Sequence, residues 1–211
     1  IEFGPTLPDG RRSIVLVSDN NFSATQFTQV LVLDAEVMPT AAPTVETRPP
    51  LLDNDEQDAD ADDPAIYVHP GHPASSLVIT AVKNGGLRVY DLSGNLVQTI
   101  NPGDIRYNNV DLQYDFRLGC ETVDIAVASD RNNDKLVIFK INPNPATPGQ
   151  YLEDITDSSI GTLFQSAPFA APYSASERSA YGIALYRSPV TQDYYVFVNR
   201  RETGDVAQYR L

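Results

Sequence analysis

One unit recurs along the chain, and it limits the possible folds more than any other feature of the sequence. The unit is an apolar strand, a short polar turn and a second strand with an aromatic residue near its end. The copies begin near Ser13, Ser76, Thr122 and Tyr194, and the clearest is SLVITAVKNGGLRVYDL over 76–92. A repeat of some tens of residues with variable loops is typical of proteins built from many small, similar sheets.

The apolar runs are rich in β-branched and aromatic residues, and none has the apolar period of a helix. The sequence therefore predicts an all-β protein. A β-propeller is the natural architecture, because each blade buries its faces against its neighbours, and a β-sandwich is the alternative that periodicity leaves open. The predicted strands are 12–20, 28–37, 64–70, 77–82, 86–92, 109–116, 122–129, 135–141, 181–187, 194–199 and 206–211.

A change in composition divides the chain. Residues 38–61 are rich in Pro, Ala and acidic residues, which is the composition of an extended, solvated linker. We expect residues 1–37 to end a preceding module and residues 62–211 to form a separate unit of about three blades. Because closed propellers typically have at least about four blades, we also expect the chain to be truncated at both ends.

The charge and the motif content exclude several classes of function. The chain has 28 acidic and 15 basic residues and a net charge of −13, which argues against nucleic-acid binding. No apolar run approaches the roughly 20 residues of a membrane-spanning helix, so no membrane partner is expected. The lone Cys120 excludes an internal disulfide, and we expect it to be buried as a small apolar residue.

Basic residues recur at the same place in successive copies of the unit. Lys83 follows LVITAV, Arg131 follows TVDIAVASD, and Arg200 and Arg201 follow YYVFVN. Equivalent turns should project from one face of the assembly, so the pattern indicates a cationic site for a polyanion such as phosphate. The alternative is that turns favour polar residues and that these positions are basic by chance.

An acidic run, DNDEQDADADD over 53–63, precedes the strand at 64–70. It lacks the spacing of an EF-hand, so most of it is predicted to be linker. Its last residues, Asp62 and Asp63, adjoin a strand and are the better candidates to bind a hard cation. Ca²⁺ takes about six to eight oxygen ligands from carboxylates and carbonyls.

Seven stretches in order resemble the β-propeller phytases. They are TVET (44–47), DADDPAIYVHP (60–70), GGLRVYDLSGNL (85–96), NNVDLQYDF (108–116), VDIAVASDR (123–131), YGIALYRSP (181–189) and YYVFVN with QYRL (194–211). The resemblance runs from Glu46 to Leu211 and covers the N-terminal half of the family domain. Residues 1–37 resemble the C-terminal end of an esterase-like phytase-associated domain.

The resemblance implies a six-bladed propeller with Ca²⁺ on its axis and top face. It also implies an enzyme that hydrolyses phosphate monoesters of myo-inositol hexakisphosphate (phytate). Lys83, Arg131 and Tyr181 match phosphate-binding positions of the active site, and Arg200 or Arg201 matches a lysine there. Asn84 stands where the family has the second lysine of a pair.

The resemblance also implies ligands for calcium. Asp63 matches a calcium ligand, Val110 a position that offers its backbone carbonyl to calcium, and Glu46 a further calcium-binding acid. Calcium held by the protein would activate a water for direct attack, and the cations would stabilise the charge that develops on phosphate. Because most active-site acids of the family lie in its second half, we expect residues 1–211 alone to have little or no activity.

The expected partner is a small molecule, phytate or its calcium salt, bound by a monomer that is secreted or periplasmic. Two other functions remain open. The propeller could be a non-catalytic module that binds a polyanion or a partner protein, or a phosphatase that acts on other phosphoesters.

Overall fold

A computed structural model describes residues 2–18, 29–35, 41–47, 60–164 and 179–211. These residues form fifteen β-strands and one short 3₁₀ turn, Pro73–Ser75, with no α-helix among them. The prediction of an all-β protein is confirmed. None of the helical segments within those ranges is long and apolar enough to span a membrane.

The strands form four antiparallel sheets, and each sheet takes its strands in chain order. The first contains β1 (Glu2–Thr6), β2 (Arg12–Ser18), β3 (Gln29–Ala35) and β4 (Ala41–Glu46). The second contains β5 (Asp63–Tyr67), β6 (Leu77–Ala81), β7 (Leu87–Asp91) and β8 (Leu96–Ile100). The third contains β9 (Tyr107–Leu118), β10 (Glu121–Asp130), β11 (Lys135–Ile141) and β12 (Leu152–Asp154). The fourth contains β13 (Ala180–Arg187), β14 (Tyr194–Arg200) and β15 (Val206–Arg210).

The core is divided into layers between successive sheets. Val15, Val30 and Val78 join the first sheet to the second. Alternate residues of β10 point to opposite sides, because side chains alternate along a strand. Ala126 lies in the cluster shared with the second sheet, whereas Ile125 lies in the cluster shared with the fourth.

The first strands of the sheets are neighbours in space. β5 contacts β1 on one side and β9 on the other, and β9 also contacts β13. Small antiparallel sheets that pack face to face, with their first strands adjacent, form a partial β-propeller. Residues 62–211 supply three of these sheets, which agrees with the predicted three blades.

The structure differs from two of the sequence expectations. Residues 41–46 of the predicted linker form β4, which pairs with β3, while residues 48–59 lie outside the described residues. Cys120 is exposed in the turn between β9 and β10, so the prediction that it is buried was wrong. The turn lies at the tip of a long hairpin, where the adjoining ends of β9 and β10 are exposed as well.

The turn between β6 and β7 requires glycine. Gly86 has φ +80°, and a Cβ atom there would overlap the backbone oxygen of Ile100 in β8. Gly103 also has a positive φ, +77°, but faces open space. A side chain would meet an unfavourable backbone conformation at both glycines, but it would overlap neighbouring backbone only at Gly86. Alanine substitution at the two positions therefore separates these two costs.

We predict that Gly86→Ala lowers the free energy of unfolding by about 3 kcal/mol, because left-handed strain and overlap with the β8 backbone add. Gly103→Ala should lower it by about 1 kcal/mol, from the strain alone. Urea denaturation of both variants measures the difference. Equal losses in the two variants would contradict the packing of this turn against β8.

A partly buried carboxylate ties β9 to β13. Asp111 accepts hydrogen bonds from the backbone N–H groups of Leu112, at 2.8 Å, and Leu185, at 2.6 Å. Burial raises the pKa of Asp111, and these two hydrogen bonds oppose the rise. The charged form is therefore less favourable in the folded chain than in the unfolded one.

A raised carboxyl pKa contributes stability below the unfolded value, and that stability is lost as pH rises through the folded value. Wild type should lose stability relative to Asp111→Asn as pH rises from about 3 to about 7, across the usual aspartate range. The asparagine also loses a hydrogen bond, which gives a constant offset at every pH. Thermal melts of both proteins across this range test the idea, and a pH-independent difference would overturn it.

Candidate functional site

The turns that carry the predicted cations lie at one end of the sheets. In the second sheet Asp63 of β5 pairs with Ala81 of β6, so the start of the first strand lies beside the end of the second strand. The corresponding pairs in the third and fourth sheets are Asp130 with Tyr107 and Ala180 with Arg200. Each basic turn therefore lies beside the start of a first strand.

Lys83 is held in a strained, buried position at this end. Its φ is +46°, in the left-handed region that is unfavourable for a side-chain-bearing residue. Its Nζ lies 2.7 Å from Asp60 Oδ2 and 4.0 Å from Asp62 Oδ2. A buried ammonium requires such a counter-charge, so Asp60 positions the lysine. The sequence placed Asp60 in the linker and did not identify it as a site residue.

Lys83 is also joined to the third sheet through its backbone. The Tyr107 N–H donates to the Lys83 carbonyl at 3.1 Å. Burial, followed by the negative charge of Asp130, raises the pKa of the Tyr107 phenol, which therefore stays neutral. Only the backbone of Tyr107 contributes to this end of the sheet, because its ring packs against Phe139 in the core.

Tyr181 lies between two arginines. The guanidinium carbon of Arg131 is 5.9 Å from the centroid of the Tyr181 ring, and that of Arg201 is 5.8 Å from it. The Ser129 hydroxyl donates to the Tyr181 carbonyl at 2.5 Å. The third sheet thus supplies one arginine and an anchor for the tyrosine, and the fourth sheet supplies the other arginine.

Arg200 and Arg201 differ in environment despite being adjacent. Burial alternates along β14, where Tyr194, Val196 and Val198 are buried, and Arg200 continues that series with 4% of its surface exposed. Its guanidinium donates to the Phe164 carbonyl at 3.2 Å and lies 3.4 Å from an Asp205 oxygen.

Arg201, in the turn after β14, lies beside Tyr181 and is partly exposed. Of the two arginines offered by the sequence, the structure therefore brings Arg201 to the cationic turns. The period-two alternation of β14 was the signal that could have separated them.

Oxygen atoms suited to a hard cation lie beside the cations. Asp62 Oδ2 accepts from Asn108 Nδ2 at 2.6 Å, and Asp63 Oδ2 accepts from the Val110 N–H at 3.0 Å. Since the N–H and C=O of a strand residue point to the same side, the Val110 carbonyl leaves β9 on the same side as this N–H. Asn108 Oδ1 is buried and accepts no hydrogen bond from the described residues.

These oxygens have the chemistry of a calcium site but are too few to complete one. Ca²⁺ takes about six to eight oxygen ligands. Asp62, Asp63, Asn108 and Val110 offer six at most, and two of these, Asp62 Oδ2 and Asp63 Oδ2, already accept hydrogen bonds. Among the residues that the structure describes, no group of three or more His, Cys, Asp or Glu side chains could hold a metal ion. These four residues therefore have the chemistry to form one side of a calcium site, which further ligands would have to complete.

Glu46, the other predicted metal ligand, lies elsewhere. It is exposed, its carboxylate accepts a hydrogen bond from Gln29, and its backbone adjoins Gly94 in the turn between β7 and β8. That turn follows Asp91, at the opposite end of the β6–β7 ladder from Asp63. The described structure does not bring Glu46 to the other predicted ligands.

Three further residues that the sequence did not suggest support the site. Asp134 is fully buried and accepts from the Ala180 N–H at 2.8 Å, next to Tyr181. Ser129 anchors Tyr181, and Arg106 lies between the Lys83 turn and the Arg131 turn. None of the three matches the recurring basic position, so the repeat gave no signal for them.

Comparison with known proteins agrees with this arrangement. A family model described as Phytase matches residues 15–211. The chain is 38% identical over 153 residues to the 3-phytase of Bacillus subtilis (strain 168), an alignment that covers 72% of this chain and 35% of that protein. The chain thus spans about a third of the length of this relative. With the matched residues covering most of its length, the chain belongs to the phytase family.

Proposed function

We propose that this chain forms the phosphate-binding side of a calcium-dependent enzyme that hydrolyses phosphate monoesters of phytate. The observation that carries the proposal is the group formed by Arg131, Tyr181 and Arg201 at the end of the sheets where Lys83 also lies. Membership of the phytase family and the name of the Bacillus subtilis relative, 3-phytase, support the same substrate.

The basic residues would act on the negative charge of the phosphate. Guanidinium groups suit phosphate because their planar fork can donate two parallel hydrogen bonds. Tyr181 helps to keep the Arg131 and Arg201 guanidinium groups in place by cation–π contact, and the partly exposed pair of Arg201 with Glu202 would open to an anion at little cost. With Lys83, they would stabilise the charge that builds on the phosphoryl oxygens during attack by water.

Asp62, Asp63 and the Val110 carbonyl would hold the calcium, with Asn108 Oδ1 as a further oxygen donor. When bound, calcium lowers the pKa of a coordinated water and neutralises phosphate charge. Glu46 stays a predicted ligand for calcium, although its position near Gly94 favours a separate site. We also propose that the substrate is phytate or its calcium salt and that a secreted or periplasmic monomer acts on it.

The small number of candidate calcium ligands favours an alternative for this chain on its own, which is binding without hydrolysis. If no further carboxylates join Asp62 and Asp63, the site would bind a polyphosphate without hydrolysing it. Because the chain spans about a third of its relative, we expect phytate binding that depends on calcium, with little or no phosphate release.

Phosphate release from phytate, measured beside binding of phytate by calorimetry, separates these functions. The assays are run with calcium and with excess chelator, and a second phosphoester such as glycerol phosphate is the control substrate. Binding or release that persists undiminished in chelator would exclude the calcium-dependent mechanism. Equal rates on glycerol phosphate would instead indicate a general phosphatase.

Substitution of the two adjacent arginines tests which of them binds phosphate. Arg201→Ala should weaken phytate binding about tenfold, because one charge-assisted contact is lost, and should change the unfolding free energy by less than about 0.5 kcal/mol. Arg200→Ala should lower the unfolding free energy by about 2 kcal/mol, because its buried contacts with Phe164 and Asp205 are lost.

Each arginine variant is thus the control for the other, since both remove one positive charge from neighbouring positions. Calorimetry gives the phytate affinity of each variant, and urea denaturation gives its free energy of unfolding. The assignment fails if Arg200→Ala weakens binding as much as Arg201→Ala does while both variants remain folded.

A further inference from the structure

Arg106 lies outside the recurring unit and outside every set of site residues expected from the sequence. It precedes β9 and is joined by its backbone to two of the basic turns. Its carbonyl accepts from the Arg131 N–H at 2.9 Å, and the next residue, Tyr107, donates to the Lys83 carbonyl at 3.1 Å. The residue is therefore fixed between the two turns that carry Lys83 and Arg131.

The side chain of Arg106 reaches the Lys83 turn. Its Nη1 donates to the Asn84 side-chain oxygen at 2.7 Å. An amide oxygen holds a guanidinium in position but does not neutralise it, because it carries no net charge. Arg106 Nε is buried and has no hydrogen-bond partner within the described part of the chain.

Two carboxylates lie close to Arg106, those of Asp130 and Asp104. Both accept hydrogen bonds from other groups. Asp130 Oδ1 accepts from the Arg106 backbone N–H at 3.0 Å and from the Asn132 N–H at 3.0 Å, and Asp130 Oδ2 accepts from Asn133 Nδ2 at 2.7 Å. Asp104 Oδ1 accepts from Asn132 Nδ2 at 2.9 Å. Within the described ranges, neither carboxylate forms an ion pair with the Arg106 guanidinium.

We propose that Arg106 is a substrate-binding residue whose guanidinium, held by Asn84, contacts a phosphate group of the phosphorylated ligand. This inference rests on the proposed function, since it adds a residue to the same site. A half-buried guanidinium that pairs with no carboxylate of the described residues gains a charge-assisted contact when an anion arrives. Its neighbours Lys83 and Arg131 make phosphate the anion of choice at this end of the sheets.

The test compares two arginines at opposite ends of β9. Arg106→Gln removes the charge beside the basic turns, and Arg117→Gln removes the same charge from an exposed position near the other end of the strand. Phytate binding to the full 211-residue chain is measured by calorimetry in the presence of calcium. Arg106→Gln should weaken binding about tenfold, and Arg117→Gln should leave it within about twofold.

Two further variants separate binding from a structural role. Arg106→Lys keeps the charge and should recover part of the affinity, whereas a role limited to holding the turn would not be rescued by charge. Asn84→Ala leaves Arg106 in place but removes the oxygen that positions it, so it should weaken binding less than Arg106→Gln does. It provides the readout if Arg106→Gln fails to fold, and unchanged affinity in Asn84→Ala would then overturn the inference.

The failures of the two proposals can be told apart. If unaltered chain binds phytate and Arg106→Gln binds as tightly as Arg117→Gln, the role of Arg106 is refuted and the proposed function stands. If the unaltered chain does not bind phytate, both the role of Arg106 and the proposed function are refuted.

Discussion

The hydrogen bonds between sheets, at the end where the first strands begin, fix where the basic turns lie relative to one another. The Tyr107 N–H binds the Lys83 carbonyl at 3.1 Å, and the Ser129 hydroxyl binds the Tyr181 carbonyl at 2.5 Å. Each bond joins the second strand of one sheet, or the turn after it, to the first strand of the next sheet. The spacing between cations is therefore set by the packing of the sheets and not by the turns alone.

Two different interactions hold positively charged side chains at this end of an acidic protein, an ion pair and cation–π contacts. Lys83 is buried and requires the Asp60 carboxylate 2.7 Å away, so part of its charge is neutralised by the protein itself. Arg131 and Arg201 lie over the ring of Tyr181, which attracts a cation without cancelling its charge. Arg201 also pairs with Glu202, whose Oε1 lies 3.2 Å from its Nε, and this pair is partly exposed, whereas Lys83 is buried and the more rigidly placed.

The sequence predicted eleven of the fifteen strands in the described residues and missed β1 and three outer strands. β6 is buried throughout, and its position was predicted within one residue, whereas the outer strands β4, β8 and β12 were missed. Outer strands pack on one side only, so their apolar pattern is weak. The repeat suggested that the basic turns share one face, and the strand pairing puts them beside the starts of first strands. It could not identify Asp60 or Arg106, because their roles depend on contacts between segments that are distant in sequence.

A net charge of −13 does not prevent a polyanion site at this end of the sheets. Charges separated by more than about 8 Å are largely screened at physiological ionic strength, so acidic residues spread over the surface contribute little at the site. The Arg131 and Arg201 guanidinium groups each lie within 6 Å of one aromatic ring, and Arg106 is hydrogen-bonded to the Lys83 turn. Binding is then governed by these few contacts, and acidic residues such as Asp62 and Asp63 are compatible with phosphate if a cation bridges them to it.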